Sequence, residues 1–354
     1  MREVLAEWRP VIDREIERLL PREIDREYLT DFFGPATYEY DADAVQQALS
    51  TPIWDLLDRG GKRWRAVVFC LLAEGFGADP EELLPYACVP EILHNGTIIV
   101  DDVEDGATMR RGEPALHRVY GVDVALNAGN AMYFLPLKLI TRNPGDLDAD
   151  TRLAAYEMLM HELNRTHLGQ GMDIHWHNER GVGMTEAEYL EMCACKTGCL
   201  GRIVARLAAI VTGQDAETER AAARFAERMS VAFQIGDDIL DVENSMEAGG
   251  EFGKGVGNDI REGKKTLMVI HAAHNAPPED VERLEQLLWA EDNTDDEVRE
   301  VVRILREAGS VEYARQRAAE LSARARDSLA ELELAPEPAD HLAAFTEFVV
   351  DRDV

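Results

Sequence analysis

Two acidic runs, Asp101-Asp102-Val103-Glu104-Asp105 and Asp237-Asp238-Ile239-Leu240-Asp241, share the pattern D-D-x-x-D and lie 136 residues apart. On a helix, Asp101 and Asp105 project from one face a turn apart, as do Asp237 and Asp241. Three carboxylates clustered on an apolar helix are costly unless a cation neutralises them. A hard divalent ion such as Mg²⁺ meets that need, because it takes oxygen ligands and bridges a few carboxylates to phosphate groups. The two runs are therefore expected to be facing walls of one site that binds a diphosphate through Mg²⁺.

The cations are placed to match. The chain has 31 Arg but only 6 Lys, and five of the six, Lys62, Lys196, Lys254, Lys264 and Lys265, stand in or beside Gly-rich or acidic motifs. A compact ammonium suits phosphate. Gly60-Gly61-Lys62-Arg63-Trp64-Arg65 opens a helix, where backbone N–H groups together with Lys62 and Arg65 on one face suit an anion. Arg110-Arg111-Gly112 follows Asp105 closely, as it would if metal and guanidinium shared one polyphosphate. Gly169-Gln170 and Asp173 lie on an apolar helix. Lys196-Thr197 reads as mid-helix, where an ammonium needs a counter-anion, and Phe233-Gln234 precedes Asp237 by one turn.

Composition bounds the partners. Over 354 residues the net charge is −31 with a pI near 4.6. Such a surface repels nucleic acid and anionic membranes, and it suits a salt-rich cytoplasm where screening relieves self-repulsion. Neither nucleic acid nor stable membrane anchoring is expected, since the chain has no apolar signal core and no long uncharged apolar run. The five cysteines are an odd count without a disulfide framework; Cys193, Cys195 and Cys199 read as helix-packing residues rather than metal ligands.

Apolar residues recur at three- and four-residue steps over 3–20, 43–58, 62–75, 80–105, 120–140, 150–177, 185–212 and 216–242, and again from 264 to 350. Without alternating strands, the fold class is all-α: a single-domain bundle of about a dozen helices around a central active-site cavity. Residues 1–40 would form an N-terminal helical arm and 41–354 the domain. Residues 244–263, rich in Gly, are expected to be a loop that closes over the site.

Taken in order, G-G-K-R-x-R, H-x6-D-D-x-x-D-x4-R-R-G, G-Q-x-x-D, K-T, F-Q-x-x-D-D-x-x-D and G-K-x-x-G-x-D-x3-G-K-x-T resemble the trans-isoprenyl diphosphate synthases of the polyprenyl synthetase family, over residues 50–275. The resemblance implies a Mg²⁺-dependent prenyltransferase that joins isopentenyl diphosphate to an allylic diphosphate (dimethylallyl, geranyl or farnesyl). It also implies a homodimer and roughly three Mg²⁺ per active site. Asp101, Asp102 and Asp105, with Asp237, Asp238 and Asp241, match the metal ligands. Arg110, Lys196, Lys254 and Lys264 match contacts to the allylic diphosphate. Lys62, Arg65, His94 and Arg111 match the isopentenyl diphosphate pocket. Thr197 and Gln234 match groups whose oxygens face the developing allylic cation. Val100 and Met268 depart from the residues common in the family, where His and Pro are frequent, and neither touches the charged groups. A terpene cyclase would have no isopentenyl group for Lys62, Arg65 and Arg111, and a non-catalytic partner subunit would have eroded acidic runs.

Product length is read one turn before Asp101. Thr97 lies on the same helix face with Gly96 beside it, where the family's short-chain members carry aromatic residues that block the growing chain. Gly in mid-helix costs about 1 kcal/mol relative to Ala, which either space for a ligand or close helix packing would explain. Leu93, about 12 Å before Asp101 along a helix, is the next floor. The expected product is C20 or longer, geranylgeranyl diphosphate first, with a C25 or longer chain or farnesyl diphosphate as alternatives.

Overall fold

Helix boundaries follow the turn chemistry of the chain. The computed structural model describes residues 2–247, 257–290 and 293–350. The chain opens with α1 (Arg2–Leu19) and α2 (Arg26–Phe33), then α3 (Ala42–Val45), which passes through one π-helical turn into α4 (Thr51–Asp58). There follow α5 (Trp64–Gly75), α6 (Leu84–Glu104), the two-residue strands β1 (Met109–Arg110) and β2 (Glu113–Pro114), α7 (Leu116–Tyr120) and α8 (Val122–Arg142). The next four helices are α9 (Ala149–Asn178), α10 (Glu186–Lys196), α11 (Gly198–Val211) and α12 (Ala216–Glu247). The chain continues with α13 (Asn258–Arg261), α14 (Leu267–Asn275), α15 (Pro278–Leu288), α16 (Asp295–Glu307), α17 (Ser310–Ala330) and α18 (Pro336–Val350). The protein is all-α, as the periodicity predicts; β1 and β2 make one antiparallel hairpin.

Contacts divide the chain into two compact units. One comprises Met1–Met160, Ile203–Glu219 and Leu334–Ala339, the other His161–Arg202, Arg220–Glu333 and Asp340–Val354. In the first, α5 is buried from Trp64 to Ala73 and, Arg65 apart, apolar over that stretch. Helix α1 packs on α5 and α6, burying Leu5, Ile12, Ile16 and Leu19. The α6–α8 crossing is tight: a Cβ on Gly96 would lie 2.8 Å from Met132 Cβ and 2.9 Å from the Gly129 carbonyl, closer than real Cβ contacts come. In the second unit, Met184, Tyr189, Ile235, Met268, Leu284, Val298, Leu305 and Ala314 belong to one continuous apolar core.

Three expectations are corrected. The helix read over 185–212 is two helices. A reciprocal box, in which Thr185 and Glu188 cap each other's N–H groups, starts α10, and Thr197 ends it with its N–H on the Cys193 carbonyl. Lys196-Thr197 therefore sits at a helix junction, not mid-helix. The segment 244–263 contains the last turn of α12 and all of α13; Lys254, with 248–256, lies outside the described residues. The β1–β2 hairpin carries no clear periodic signal and is not among the elements that the sequence predicts.

Candidate active site

In the first unit the basic residues converge. The hairpin turns through Arg111 (φ 52°) and Gly112 (φ 81°), two successive left-handed residues as a tight two-residue turn requires. Arg59 holds it in place, donating to Asp55 Oδ1 at 2.8 Å and to the carbonyls of Pro114 (2.7 Å) and Arg110 (3.3 Å). From the turn, Arg111 reaches back to the Gly60 carbonyl (2.5 Å), the Leu56 carbonyl (3.1 Å) and Asn95 Oδ1 (3.1 Å). Burial and the nearby Arg63 guanidinium lower its pKa to about 10, partly offset by Glu91. Arg65 is buried and stacks over Trp64, 4.2 Å from the ring centroid. His94, half-buried on α6, is held neutral by burial and by Arg65, Arg111, Arg110 and Arg63. Guanidiniums gathered around Arg111 and His94 make a pocket suited to a multiply charged anion. Lys62 stands exposed on the turn beside it.

The start of α5 is not the anion site that its N–H groups suggest. Glu91, buried on α6, already occupies it, accepting from the N–H groups of Arg65 (3.0 Å) and Ala66 (3.4 Å). The cations of this pocket are side chains only. Arg63, which the motif contains but sequence reasoning did not single out, is 4% exposed and donates Nε to Asp13 of α1 at 2.7 Å and Nη2 to the Leu57 carbonyl at 3.0 Å. Its Nη1 is buried with no acceptor.

The first acidic run ends α6. Asp101 and Asp105 are half-buried on one face, while Asp102 is 2% exposed. Burial raises the Asp102 carboxyl above its ordinary range, against the opposing pull of Arg110, whose guanidinium it accepts at 2.5 and 2.8 Å.

In the second unit the remaining motifs meet. Gly169 of α9 lies against the α10 end so closely that a Cβ there would be 2.5 Å from the Lys196 amide nitrogen. One turn on, Asp173 accepts from Lys196 Nζ at 2.6 Å, supplying the counter-anion that an ammonium there requires. The buried Arg202 fixes the same junction, donating to the Ala194 carbonyl (3.0 Å), to Glu162 (2.8 Å) and to Glu227. Thr197 Oγ1 donates to Gln234 Oε1 at 3.2 Å, and Gln234 Nε2 donates to Asp238 Oδ1 at 2.9 Å. Asp237 and Asp241 are half-buried and Asp238 is 6% exposed, repeating the pattern of the first run. Burial, with Asp259 beside it, pushes the Asp238 carboxyl well above the usual range. Asp259, the acidic residue of the G-K-x-x-G-x-D motif, donates its N–H to Asp241 at 3.2 Å and accepts from Lys264 Nζ at 3.1 Å. Lys265 does not serve the acidic cluster: it caps the end of α9, on the carbonyls of Trp176 and Glu179.

The family model described as polyprenyl synthetase matches residues 46–305. The chain belongs to the polyprenyl synthetase family. It is 32% identical over 298 residues to a geranylgeranyl pyrophosphate synthase of Geoglobus acetivorans, covering 84% of this chain and 88% of that protein. It is also 32% identical over 290 residues to a geranylfarnesyl diphosphate synthase of Natronomonas pharaonis, covering 77% and 81%. The crystal structure of geranylgeranyl pyrophosphate synthetase from Pyrococcus horikoshii superposes with a TM-score of 0.84 at 27% identity, covering 99% of each chain. The all-α fold of this polyprenyl synthetase is therefore of the isoprenoid synthase type.

The donor set of this polyprenyl synthetase fits Mg²⁺. Both runs present hard carboxylate oxygens, and Asp238, raised by burial and then by Asp259 beside it, is a carboxyl whose charged form a cation would favour. Among the described residues no three His, Cys, Asp or Glu side chains already converge as a cage. Mg²⁺ does not need one, since it is held by one or two carboxylates together with phosphate oxygens and water. The buried thiols of Cys193 and Cys199 are pushed above their ordinary pKa by burial, which fits packing rather than ligation.

The chain-length positions divide. Gly96 is small because α8 lies against it, so of its two readings the structure supports packing. Thr97 is half-buried, its hydroxyl donating to the His94 carbonyl at 2.8 Å, and Leu93 is fully buried.

Proposed function

We propose that this trans-prenyltransferase condenses isopentenyl diphosphate with dimethylallyl, geranyl or farnesyl diphosphate and delivers geranylgeranyl diphosphate. Relatives at equal identity are named for geranylgeranyl and geranylfarnesyl products, so the C20 product rests on Thr97 and Leu93 rather than on likeness; C25 or longer is the second reading, and farnesyl diphosphate the third. The observation that carries condensation over cyclisation is the first unit's cation pocket. Arg63, Arg65, Arg111 and His94 converge with one another, a provision that a second diphosphate substrate would use and a cyclase would not need.

In this reading Asp101, Asp102, Asp105, Asp237, Asp238 and Asp241 would hold Mg²⁺, about three ions in all. When bound, the metal neutralises charge on the departing diphosphate. Arg110 and Lys196 orient the allylic diphosphate and share that charge, with Lys254 and Lys264 assigned to it by resemblance. Lys62, Arg65 and Arg111 hold isopentenyl diphosphate so that its double bond attacks the allylic carbon. The hydroxyl of Thr197 and the carbonyl of Gln234 offer oxygen dipoles to the developing cation. The new C–C bond leaves a tertiary cation, which loses a proton to the released diphosphate, and no side-chain base is assigned.

Two further parts of the proposal concern the whole molecule. Phe134 on α8 is 67% exposed, and Leu153, Tyr156 and Met160 recur on one face of α9 at 55%, 38% and 38% exposure, apolar surface that supports a homodimer. The net charge of −31 supports a cytoplasm rich in salt and a halophilic archaeal source. Among the described residues no helix is long and apolar enough to cross a membrane.

The test is to incubate purified protein with Mg²⁺, molar salt, labelled isopentenyl diphosphate and each primer in turn, and to size the products. Elongation that stops at geranylgeranyl diphosphate, abolished in Asp102→Asn, is the expected result. A folded protein that elongates no primer would turn the assignment to a cyclase or a partner subunit.

A further inference from the structure

Tyr189 of α10 has no part in the motifs, yet it is 2% exposed and its hydroxyl donates to Asp238 Oδ2 at 3.0 Å. Asp238 takes its second hydrogen bond on the other oxygen, from Gln234 Nε2 at 2.9 Å, and Gln234 Oε1 in turn accepts from Thr197 Oγ1 at 3.2 Å. These four side chains form one chain of hydrogen bonds with a defined direction. As the metal-binding carboxylate assigned above, Asp238 only accepts, so Gln234 turns its amide N–H₂ toward Asp238 and its carbonyl toward Thr197. With its proton committed to that carbonyl, Thr197 Oγ1 has only lone pairs left to present elsewhere.

We propose that Tyr189 is a positioning residue for the condensation: by fixing Asp238 it fixes the Gln234 amide, and so keeps the Thr197 hydroxyl oxygen presented to the allylic cation as an acceptor. The inference rests on the reaction assigned above and adds to it the group that sets the polarity of Thr197. The buried phenol is rigid, and each link polarises the next. Without the Tyr189 hydroxyl, Asp238 loses one of its two fixed donors, and the amide is free to turn its N–H₂ toward Thr197. The hydroxyl proton would then point at the cation instead of away from it.

A double-mutant cycle tests this, with a binding measurement beside it. Tyr189→Phe is expected to lower kcat about tenfold, the scale of one hydrogen bond to a charged group, while the KM for isopentenyl diphosphate stays unchanged. In a Thr197→Val background the same change should cost less than about twofold, because the relay already ends there; in Thr197→Ser, which keeps a hydroxyl, the full loss should return. A prenyl ammonium analogue of the allylic cation, titrated calorimetrically with Mg²⁺ and inorganic pyrophosphate, should bind Tyr189→Phe about tenfold more weakly, with pyrophosphate alone unaffected. If Tyr189→Phe melts well below the wild type, Gln234→Met carries the same cycle, since it cuts the chain one link further on. Additive losses, or unchanged analogue binding in an active synthase, overturn the relay alone. Wild-type protein that elongates no primer overturns the reaction and the relay with it.

Discussion

Arg110 closes on a single oxygen of Asp102, with Nε at 2.8 Å and Nη2 at 2.5 Å. The contact ties the two-residue hairpin to the end of α6 and sets the buried member of the first acidic run. Asp238, the buried member of the second, is held instead by two neutral donors, Tyr189 and Gln234. The two runs share a pattern of residues but not a pattern of support.

Arg110→Lys should therefore be far from conservative. An ammonium cannot reproduce two N–H groups converging on one oxygen from a planar fork. We expect kcat/KM for the allylic substrate to fall by roughly ten- to a hundredfold, the scale of a hydrogen bond to a charged group. Steady-state kinetics on the variant would decide it, and wild-type kcat/KM would refute the role.

Asp13 ties the N-terminal helix to Arg63. Its carboxylate is the partner of Arg63 Nε at 2.7 Å, with the Arg63 side chain 4% and Asp13 38% exposed. Solvent at Asp13 weakens the pair, so Asp13→Asn should cost only about 1 kcal/mol. Arg63 would shift in the cation pocket, and the KM for isopentenyl diphosphate should rise several-fold while that for the allylic primer holds. A variant with both KM values unchanged would detach the arm from the site.

Gly96 and Thr97 should separate stability from product length. Gly96→Ala drives a methyl to 2.8 Å from Met132 Cβ, and overpacking of that kind costs about 1–3 kcal/mol, visible as a lower denaturation midpoint. Thr97→Phe should instead shorten the product while turnover persists. An unchanged product distribution in Thr97→Phe would remove the chain-length role.

Stability should fall as pH drops below about 6.5, the ordinary histidine value. His271 is held below that value, chiefly by burial; it stacks on Tyr313 at 4.3 Å and bonds Ser310 Oγ at 3.0 Å. Above pH 6.5 neither state binds the proton and the contribution is level. Below it the unfolded chain binds the proton first, so the folded state loses ground until its own lowered pKa is reached. His271→Gln should reduce the pH dependence of the melting temperature between pH 7 and 5, leaving the part of the same sign that His94 contributes. A wild-type slope in the variant would assign the effect elsewhere.

Much of the site was legible because its chemistry repeats at helical spacing. The two D-D-x-x-D runs, Lys196-Thr197, Gln234 and the R-R-G turn each carry their functional groups within one or two turns, so residue order alone predicts which groups share a face. Asp173 and Lys196 were both singled out, and their 2.6 Å contact needs only the idea that a cation near a buried helix end requires an anion. The supporting residues were not legible. Asp13, Arg59, Glu91, Tyr189 and Arg202 have no motif of their own, and each acts on a partner that the fold brings to it, such as Tyr189 on Asp238, 49 positions away.

Local pattern determined the all-α class, the family and the charged inventory of the site, because helix periodicity and ligand spacing are properties of neighbouring residues. Tertiary structure alone decided how that inventory is used. Glu91 fills the helix start that looked open to a substrate anion, Lys265 caps a helix rather than joining the acidic cluster, and Gly96 is small for the sake of α8. In each case one side chain had two physically reasonable uses, and what packs against it, contributed from elsewhere in the chain, selected one.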